Sequence, residues 1–308
     1  MNANKQQRLS LTGFVLTFLG AVLFSTKAVI VKKAFHDTHI DAVSLLAVRM
    51  AFSLPFYLGV AFFAGNQQDN VHFTRRQWVL VAVLGLFGYY ISSFLDFAGL
   101  QYVSAGLERL VLFLYPTFTV IINAAVFKQK ISRIQLLALV LTYTGIAIAY
   151  MGQLRVETAS PAFLLGSGLI FICAVTYAVY IVGSGRLIPQ VGATKFTAYA
   201  MLAASIGVFT HYLLAGNYQL LHSGTAYWRY GILLAIIATV LPTFLISFGM
   251  KRIGANNTAI ISGIGPVSTI LQAHFILGET IFPAQIAGTL LVIAGVLLIG
   301  WKSKPAAE

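Results

Sequence analysis

Two stretches of the sequence decide the fold: residues 104–127 read SAGLERLVLFLYPTFTVIINAAVF, and residues 254–277 read GANNTAIISGIGPVSTILQAHFIL. Each stretch is long enough to cross the hydrocarbon core of a membrane as a helix, which takes about 20 mostly apolar residues. Each also has a proline at its thirteenth position, Pro116 in the first and Pro266 in the second. The two stretches therefore predict membrane-spanning helices and an internal repeat at an offset of 150 residues.

Eight further apolar runs lie around these two stretches. Because the runs are continuously apolar and do not alternate with polar residues, they predict helices and not membrane strands. The predicted fold class is an all-α membrane protein with ten transmembrane helices. The predicted spans are Leu9–Val31, Val43–Ala64, Gln77–Phe97, Ser104–Phe127, Arg133–Gly152, Pro161–Gly185, Lys195–Ala215, Tyr227–Gly249, Gly254–Ile276 and Pro283–Trp301.

The composition excludes a soluble protein. Of the 308 residues, 58% are hydrophobic and 9% are charged, whereas soluble domains carry about 25% charged residues. The single cysteine, Cys173, cannot form a disulfide framework or a zinc cluster within one chain. The sequence also has no Gly-x-x-x-x-Gly-Lys-Ser/Thr loop for nucleotide phosphates. We therefore expect no catalytic residues, no cofactor and no bound metal.

Membrane orientation accounts for most of the excess of basic residues. The 20 Lys and Arg outnumber the 8 Asp and Glu, which in a soluble protein would indicate a nucleic acid as partner. With ten spans, thirteen basic residues fall on the side of the two termini, three fall inside spans, and four fall on the opposite side: Lys32, Lys33, Arg155 and Arg229. The positive-inside rule then places both termini in the cytoplasm. The expected partners are the lipid bilayer and a small-molecule substrate, and not nucleic acid.

The internal repeat predicts two halves of opposite orientation. Residues Gly99–Gly145 align without a gap on Gly249–Gly295, and the first span aligns on the sixth. Each half then holds five spans, with the repeat units at residues 9–152 and 161–301. Because five is odd, the second unit lies upside down relative to the first. Inverted repeats are a recurrent plan of secondary transporters.

The two matched prolines, Pro116 and Pro266, fall inside the fourth and ninth predicted spans. Proline removes a backbone donor and clashes with the preceding turn, so it kinks or opens a helix. Inside a membrane the freed carbonyl needs protein or water as a partner. We therefore expect both kinks to face the interior of the bundle, where a cavity can form.

Two motifs carry a family resemblance. They are Leu277-Gly278-Glu279 followed by Ile281, Gln285, Gly288 and Gly295, and the run from Glu108-Arg109-Leu110 to Tyr115-Pro116-Thr117. On these residues the chain resembles the drug/metabolite transporter superfamily, in the form with two EamA-type repeats. The resemblance implies ten helices, residence in the inner membrane, and secondary export of a small metabolite, such as an amino acid or a related organic anion, by alternating access. One departure is Lys128-Gln129 in the first half, where the second half has Gly278-Glu279.

Ionisable side chains inside the predicted spans are the candidate site residues, because such a charge is costly unless it is paired or hydrated. One interpretation is structural: the cations extend to the headgroups, and the acids form bridges that lock helices together. The other is that three cations attract a carboxylate or phosphate, while Glu108 meets an amino group or carries a proton. The five residues are Lys27, Arg49, Asp96, Glu108 and Arg109.

Further candidates surround these charges. Glu108 and Arg109 are about 100° apart on a helix, so we expect them to face different partners. Tyr115 lies on the helix face of Glu108 and is predicted to stack on substrate or to form a hydrogen bond with it. His274 is a candidate proton relay or, alternatively, a hydrogen bond between helices. The histidines of the first outer loop favour a solvated loop over a zinc site.

Two other functions stay open from the residues alone. An intramembrane enzyme would need a base and an acid at one depth, and Glu108 with His274 is the only pair that offers this. A membrane sensor or scaffold that resembles a carrier is the second of these functions. The sequence does not fix the coupling of transport or the oligomeric state, and a homodimer is left open.

Overall fold

A computed structural model describes residues 11–65, 73–157, 162–215, 225–278, 281 and 283–301. Within this part of the chain the regular structure is entirely helical, as the apolar runs predict. The α-helices are α1 (Leu11–Thr38), α2 (Ala42–Gly65), α3 (Arg75–Gly85), α4 (Ser92–Leu100), α5 (Ala105–Leu112), α6 (Tyr115–Phe127), α7 (Arg133–Glu157), α8 (Phe163–Val191), α9 (Ala193–Ala215), α10 (Thr225–Ala235), α11 (Leu241–Ile261), α12 (Ile264–Leu277) and α13 (Pro283–Trp301).

Seven helical segments of the described residues are long and apolar enough to cross a membrane. Three shorter apolar helices, Arg133–Ile148, Ile264–Ile276 and Pro283–Leu298, accompany them. The structure thus agrees with a multi-pass helical membrane protein. The seven long segments are Leu11–Thr38, Ala42–Phe63, Arg75–Leu100, Ala105–Phe127, Phe163–Val191, Ala193–Ala215 and Thr225–Ile261.

Two π-helical turns lie within long helical rods. The first, Leu86–Ile91, joins α3 to α4, and the second, Ile236–Val240, joins α10 to α11. Their first residues are 150 positions apart, which is the offset of the sequence repeat. A π-helical turn holds an extra residue, so it rotates the side chains that follow it relative to those before it. The repeat is therefore present in the irregular backbone as well as in residue identities.

The helix breaks near the matched prolines also recur. Helix α5 ends at Leu112 and α6 begins at Tyr115, so Pro116 lies in the first turn of a new helix. Proline is tolerated there because the first backbone N–H groups of a helix have no partner within that helix. In the second half α12 begins at Ile264, two residues before Pro266. The expected kinks thus take the form of helix breaks.

Helix α1 packs antiparallel to α10 and α11. Gly13, near the start of α1, lies against Ile253, while the Tyr227 hydroxyl donates a hydrogen bond to the carbonyl oxygen of Thr38 at 3.0 Å, at the other end of α1. We call the side of the bundle where α1 begins the terminal side and the side where α1 ends the opposite side. Near the terminal side, Gly254 bends α11 sharply (φ 77°, ψ 167°), a backbone conformation that side-chain-bearing residues rarely adopt.

Helices α7 and α13 approach each other closely at small residues. A Cβ atom at Gly145 would lie 2.5 Å from the carbonyl oxygen of Gly288, and one at Gly295 would lie 2.8 Å from the carbonyl oxygen of Ala138. Moving each residue by 150 positions turns the first contact into the second. Glycine and alanine allow this approach because they place little or nothing between the two backbones.

We expect Gly85→Ala to destabilise the protein by about 1–3 kcal/mol, the usual cost of overpacking. A Cβ atom at Gly85 would lie 2.1 Å from the carbonyl oxygen of Ala200 in α9, so a backbone must move. Gly59→Ala in α2 is the matched control, because a Cβ there meets nothing within 4 Å. Thermal unfolding in detergent measures both variants. Equal unfolding temperatures for the two would contradict the close α3–α9 approach.

Candidate functional site

The five charged candidates of the sequence are all buried, with no more than 5% of the surface of any of these residues exposed. Lys27 lies on α1, Arg49 on α2, Asp96 on α4, and Glu108 and Arg109 on α5. We call these residues the buried charge cluster. All five belong to the first half of the chain. The cations thus do not extend to the surface as exposed side chains.

Lys27, Asp96, Glu108 and Arg109 form two buried ion pairs. The Nζ atom of Lys27 lies 2.7 Å from Oδ2 of Asp96, and Nε of Arg109 lies 3.2 Å from Oε2 of Glu108. The two pairs are close enough for the Asp96 and Glu108 carboxyl groups to act on each other electrostatically. Two nearby buried carboxylates repel each other, and a proton on one of them removes that repulsion. The arrangement can therefore hold a proton next to paired charges.

The contact between Glu108 and Arg109 differs from the expectation that they face separate partners. Their Cα–Cβ bonds diverge, but the two long side chains turn toward each other. Asp96 also lies deeper than expected, because the helical rod continues to Leu100, beyond the predicted end at Phe97. Helix α5 begins after Ser104, whose hydroxyl accepts a hydrogen bond from the Leu107 N–H at 3.1 Å, and this start places Glu108 in its first turn.

Arg49 gives the cluster its third cation. Its Nη2 donates a hydrogen bond to the Ser93 hydroxyl at 3.0 Å, and its guanidinium lies 5.1 Å from the centre of the Phe97 ring. Asp96 is the acidic side chain whose charge acts on it. With both carboxyl groups ionised, the cluster holds three positive and two negative charges, and a proton on either carboxyl group increases the excess. Buried charge of one sign is stabilised by a counter-ion.

A small cavity of about 20 Å³ adjoins the cluster. This volume is close to the space that one water molecule occupies. Arg109 supplies the only charge among its described lining residues, and the lining comes from both halves of the chain. The lining residues are Ala21, Phe24, Arg109, Leu112, Phe113, Tyr115, Tyr177, Ile246, Ser262, Gly265 and Pro266.

Tyr115 and Pro266, two of the sequence candidates, line this cavity, and Pro116 lies buried beside it at the start of α6. The Tyr115 ring packs edge-on against Tyr177 with 5.0 Å between ring centres. Tyr177 stacks on Phe24 at 5.9 Å, and both residues are cavity-lining residues that the sequence reasoning missed. They lie among many aromatic residues in apolar runs, so nothing in the pattern singled them out.

Phe24 also links the cavity wall to the cations. Its backbone carbonyl oxygen accepts a hydrogen bond from Nη2 of Arg109 at 3.0 Å. The Nζ atom of Lys27 lies 4.7 Å from the centre of its ring, and the guanidinium of Arg109 lies at 5.8 Å. Cations at such distances are attracted by the electrons of the ring face. Phe24 therefore holds both cations beside the cavity.

His274 lies outside this arrangement. Its side chain is exposed on α12, with its ring edge-on to Phe275 at 5.1 Å. Gln272 makes the contact between helices there, donating to the hydroxyl of Ser25 of α1 at 3.3 Å, and it also donates to the hydroxyl of Ser268 in its own helix at 2.7 Å. Among the described residues there is no group of three or more His, Cys, Asp or Glu side chains that could hold a metal ion.

Hydrogen bonds between the two halves close the bundle on both sides of the cavity. On the terminal side, Asn123 donates from its amide to Asn256 at 2.6 Å. On the opposite side, the Tyr230 hydroxyl donates to the Asp37 carboxylate. The cavity is therefore enclosed in this conformation.

The sequence profile of the EamA-like transporter family matches residues 11–151 and, a second time, residues 164–301. The chain belongs to the EamA-like transporter family. Two EamA repeats are thus present, as the motifs in the sequence predicted. This assignment also agrees with the recurrence of helix breaks and π-helical turns at an offset of 150 residues.

Several curated relatives of this EamA-family chain are named as transporters. The uncharacterized transporter YcbK of Bacillus subtilis is 31% identical over 296 residues, which cover 94% of this chain and 93% of the relative. An uncharacterized transporter of Archaeoglobus fulgidus is 25% identical over 290 residues, covering 92% and 94%. The uncharacterized inner membrane transporter YicL of Salmonella typhimurium is 21% identical over 298 residues, covering 96% and 97%.

A crystal structure shares the fold of this EamA-family chain. The TM-score is 0.70 at 18% sequence identity, and the match covers 95% of this chain and 98% of the other. At this identity the likeness shows the fold alone.

Removing the partner of Lys27 is expected to destabilise the protein. Asp96→Asn leaves a buried ammonium without its counter-charge, which costs about 3–5 kcal/mol. The double variant Lys27→Met with Asp96→Leu removes both charges, and we expect it to recover most of the lost stability. Thermal unfolding in detergent measures each variant.

Asp37→Asn at the end of α1 is the control, because the Asp37 side chain is 32% exposed and pairs with Lys33 there, and the amide oxygen of asparagine can still accept the hydrogen bond from Tyr230. Exposed pairs contribute at most about 1 kcal/mol. An Asp96→Asn protein as stable as the wild type would show that the Lys27–Asp96 pair does not hold α1 against α4.

Proposed function

We propose that this EamA-family protein is a secondary transporter that exports a small organic anion across the inner membrane by alternating access. The substrate class covers amino acids and related carboxylates. The observation that carries the proposal is the buried excess of positive charge beside a cavity between the two halves. Such an excess favours an anion at the cavity wall, where Arg109 is exposed to it.

Two five-helix halves of opposite orientation, ten spans in all, are part of the proposal. The two family matches support it, as do the π-helical turns and helix breaks at an offset of 150 residues. A shift of 150 residue numbers converts one α7–α13 contact into the other, which is expected of helices related by a two-fold axis. An odd number of spans in each half makes the halves antiparallel, and the basic residues on the terminal side support a cytoplasmic location of both termini.

Alternating access would require the two halves to separate on one side at a time. The cavity of about 20 Å³ is too small for an organic anion, so substrate binding needs such an opening. Each contact that closes the bundle joins the first half to the second: Asn123 to Asn256 on the terminal side, Tyr230 to Asp37 on the opposite side. The neutral bond between the two asparagines contributes about 0.5–1.5 kcal/mol net and the bond to the Asp37 carboxylate about 1.5–3 kcal/mol, so both contacts can break during each cycle.

The substrate carboxylate is proposed to bind Arg109 at the cavity wall. Binding there would weaken the pair between Arg109 and Glu108, and a proton taken up by Glu108 would then remove its uncompensated buried charge. Tyr115 and Tyr177 would contact the apolar body of the substrate. If the substrate carries an amino group, Glu108 is the carboxylate that can accept it.

An enzyme or a sensor is the alternative function. Only a carrier moves an intact solute across the membrane, so a transport assay distinguishes the three. The names of the relatives favour a transporter. We expect purified protein in liposomes to accelerate efflux of a labelled carboxylate, screened over amino acids and organic acids with and without a pH gradient. Chemically altered solute, or no efflux for any solute in the screen, would contradict the proposal.

Arg109→Gln is expected to slow this efflux at least about tenfold, because a charge-assisted hydrogen bond contributes about 1.5–3 kcal/mol. Arg252→Gln is the matched control, since Arg252 is exposed on the terminal side and bonds only within its own helix in the contacts described. Wild-type efflux by a folded Arg109→Gln protein would remove Arg109 from substrate binding.

Loosening one closure should open the cavity toward that side only. The reporter is Ser262→Cys in the cavity, in a Cys173→Ala background. We expect Asn123→Ala to increase the rate at which a thiol reagent labels it from the terminal side, and Tyr230→Phe to increase the rate from the opposite side. Each increase is up to about tenfold, as expected for the loss of one hydrogen bond.

Thr144→Ala is the control for this experiment, because the Thr144 hydroxyl donates only to Val140 in its own helix. Reagent is applied to sealed vesicles of each orientation. Faster labelling from both sides in either variant, or an effect of Thr144→Ala, would contradict a separate closure on each side.

A further inference from the structure

A second, larger pocket lies at the opposite side of the bundle, where α1 ends. Its volume is about 710 Å³, and it opens to the surface. We call it the outer pocket. The polar residues among its lining are Lys32, Lys33, His36, His39, Gln101 and Ser104. The sequence analysis treated these histidines as parts of a solvated loop and counted the lysines among the basic residues of the opposite side, and it gave neither a role in transport.

The outer pocket lies directly over the buried charge cluster. Leu100 and Ala105 form part of its wall. Leu100 is one helical turn beyond Asp96 in α4, and Ala105 is one turn before Arg109 in α5. The wall of the pocket therefore lies within one helical turn of the cluster on two helices.

The charged side chains in the wall of the pocket are basic. No carboxylate is found among its described lining residues, whereas two lysines and two histidines are. The nearest acidic side chain on α1, Asp37, accepts a hydrogen bond from Tyr230 of α10 and pairs with Lys33 at 3.3 Å, so it offsets part of the charge of Lys33. Asp41 caps α2 by accepting a hydrogen bond from the Ser44 N–H at 2.9 Å. A concave wall with lysines concentrates anions from solution.

The position of the two lysines is unusual for this chain. Only four basic residues are predicted outside the spans on the opposite side, and Lys32 and Lys33 are two of them. The positive-inside bias removes basic residues from loops of that side. The two adjacent lysines in the wall of one pocket are therefore exceptions to that bias.

We infer that the outer pocket is a second anion-binding subsite, which holds a small carboxylate between Lys32 and Lys33 and the buried charge cluster. The inference rests on the proposed function and adds to it a second binding site for the substrate anion on the export path. Binding at this subsite can be measured without transport, so the two proposals can fail separately.

The potential of the pocket can be measured with charged thiol reagents. Gln101→Cys, in the Cys173→Ala background, places a thiol in the wall of the pocket. We compare its reaction rate with an anionic methanethiosulfonate (sulfonatoethyl) and a cationic one (trimethylammonioethyl), each corrected for the rate with a free thiol. The anionic reagent is expected to react at least about tenfold faster, within the range for a charged cleft.

Three variants test whether the lysines cause this preference. Lys32→Gln with Lys33→Gln should lower the ratio of the two rates at least about threefold, and Lys32→Arg with Lys33→Arg should leave it unchanged, because the charge is retained. Arg229→Gln is the matched control, because it removes a positive charge on the same side without altering the wall of the pocket. A ratio that falls equally in Arg229→Gln and in the double glutamine variant would overturn the inference.

Occupancy is tested by protection of the same thiol. In vesicles of phosphatidylcholine, benzoate should slow the reaction of an uncharged thiol reagent at least about threefold, and only when the lysines are present. Protection by phosphatidylglycerol alone, with no effect of benzoate or inorganic phosphate, would assign the pocket to a lipid phosphate and overturn the inference. No protection by any of these anions would overturn it as well.

Discussion

A charge inside the hydrocarbon region must find its partner within the protein, and this constraint determines how the first half of the chain packs. The Lys27–Asp96 pair joins α1 to α4. Arg109, which pairs with Glu108 on its own helix, joins α5 to α1 through a hydrogen bond to the Phe24 carbonyl oxygen. Arg49 adds α2 through Ser93. Because all five charges belong to the first half, their pairs can persist while the two halves move. The cost of breaking a buried pair, about 3–5 kcal/mol, then need not be met in every transport cycle.

The contacts between the halves near the cavity are of a different kind. The Tyr57 and Thr243 hydroxyls share a hydrogen bond of 2.8 Å, the Tyr89 and Tyr180 hydroxyls one of 2.7 Å, and Asn123 bonds with Asn256. These bonds are neutral and each contributes about 0.5–1.5 kcal/mol net. The bundle thus combines strong ionic contacts inside one half with weaker neutral contacts between halves, a division that suits motion of rigid units.

The sequence predicted the features that depend on residue type at one position. Apolar runs predicted helices, the pair Pro116 and Pro266 predicted interruptions, and charges in apolar runs marked the buried cluster. It could not predict which charges pair, because pairing depends on side-chain reach across helices: Glu108 and Arg109 diverge at the backbone and still meet. The sequence did not single out Tyr177, because aromatic residues are common in buried helices and only the structure shows that this one lines a cavity.

The two halves share backbone irregularities but not charges. The first span aligns on the sixth at an offset of 153 residues, so Lys27 corresponds to Tyr180. At the offset of 150 residues that holds for the later spans, Asp96 corresponds to Ile246, Glu108 to Thr258 and Arg109 to Ala259. The two halves thus share the breaks and π-helical turns, which rely on local backbone geometry, while the five residues of the buried charge cluster lie in the first half only. An anion in the cavity therefore meets charge from the first half and apolar or hydroxyl groups from the second. Such an anion would remain attached to the first half while the second half moves past it, because only the first half offers the stronger, charge-assisted contacts.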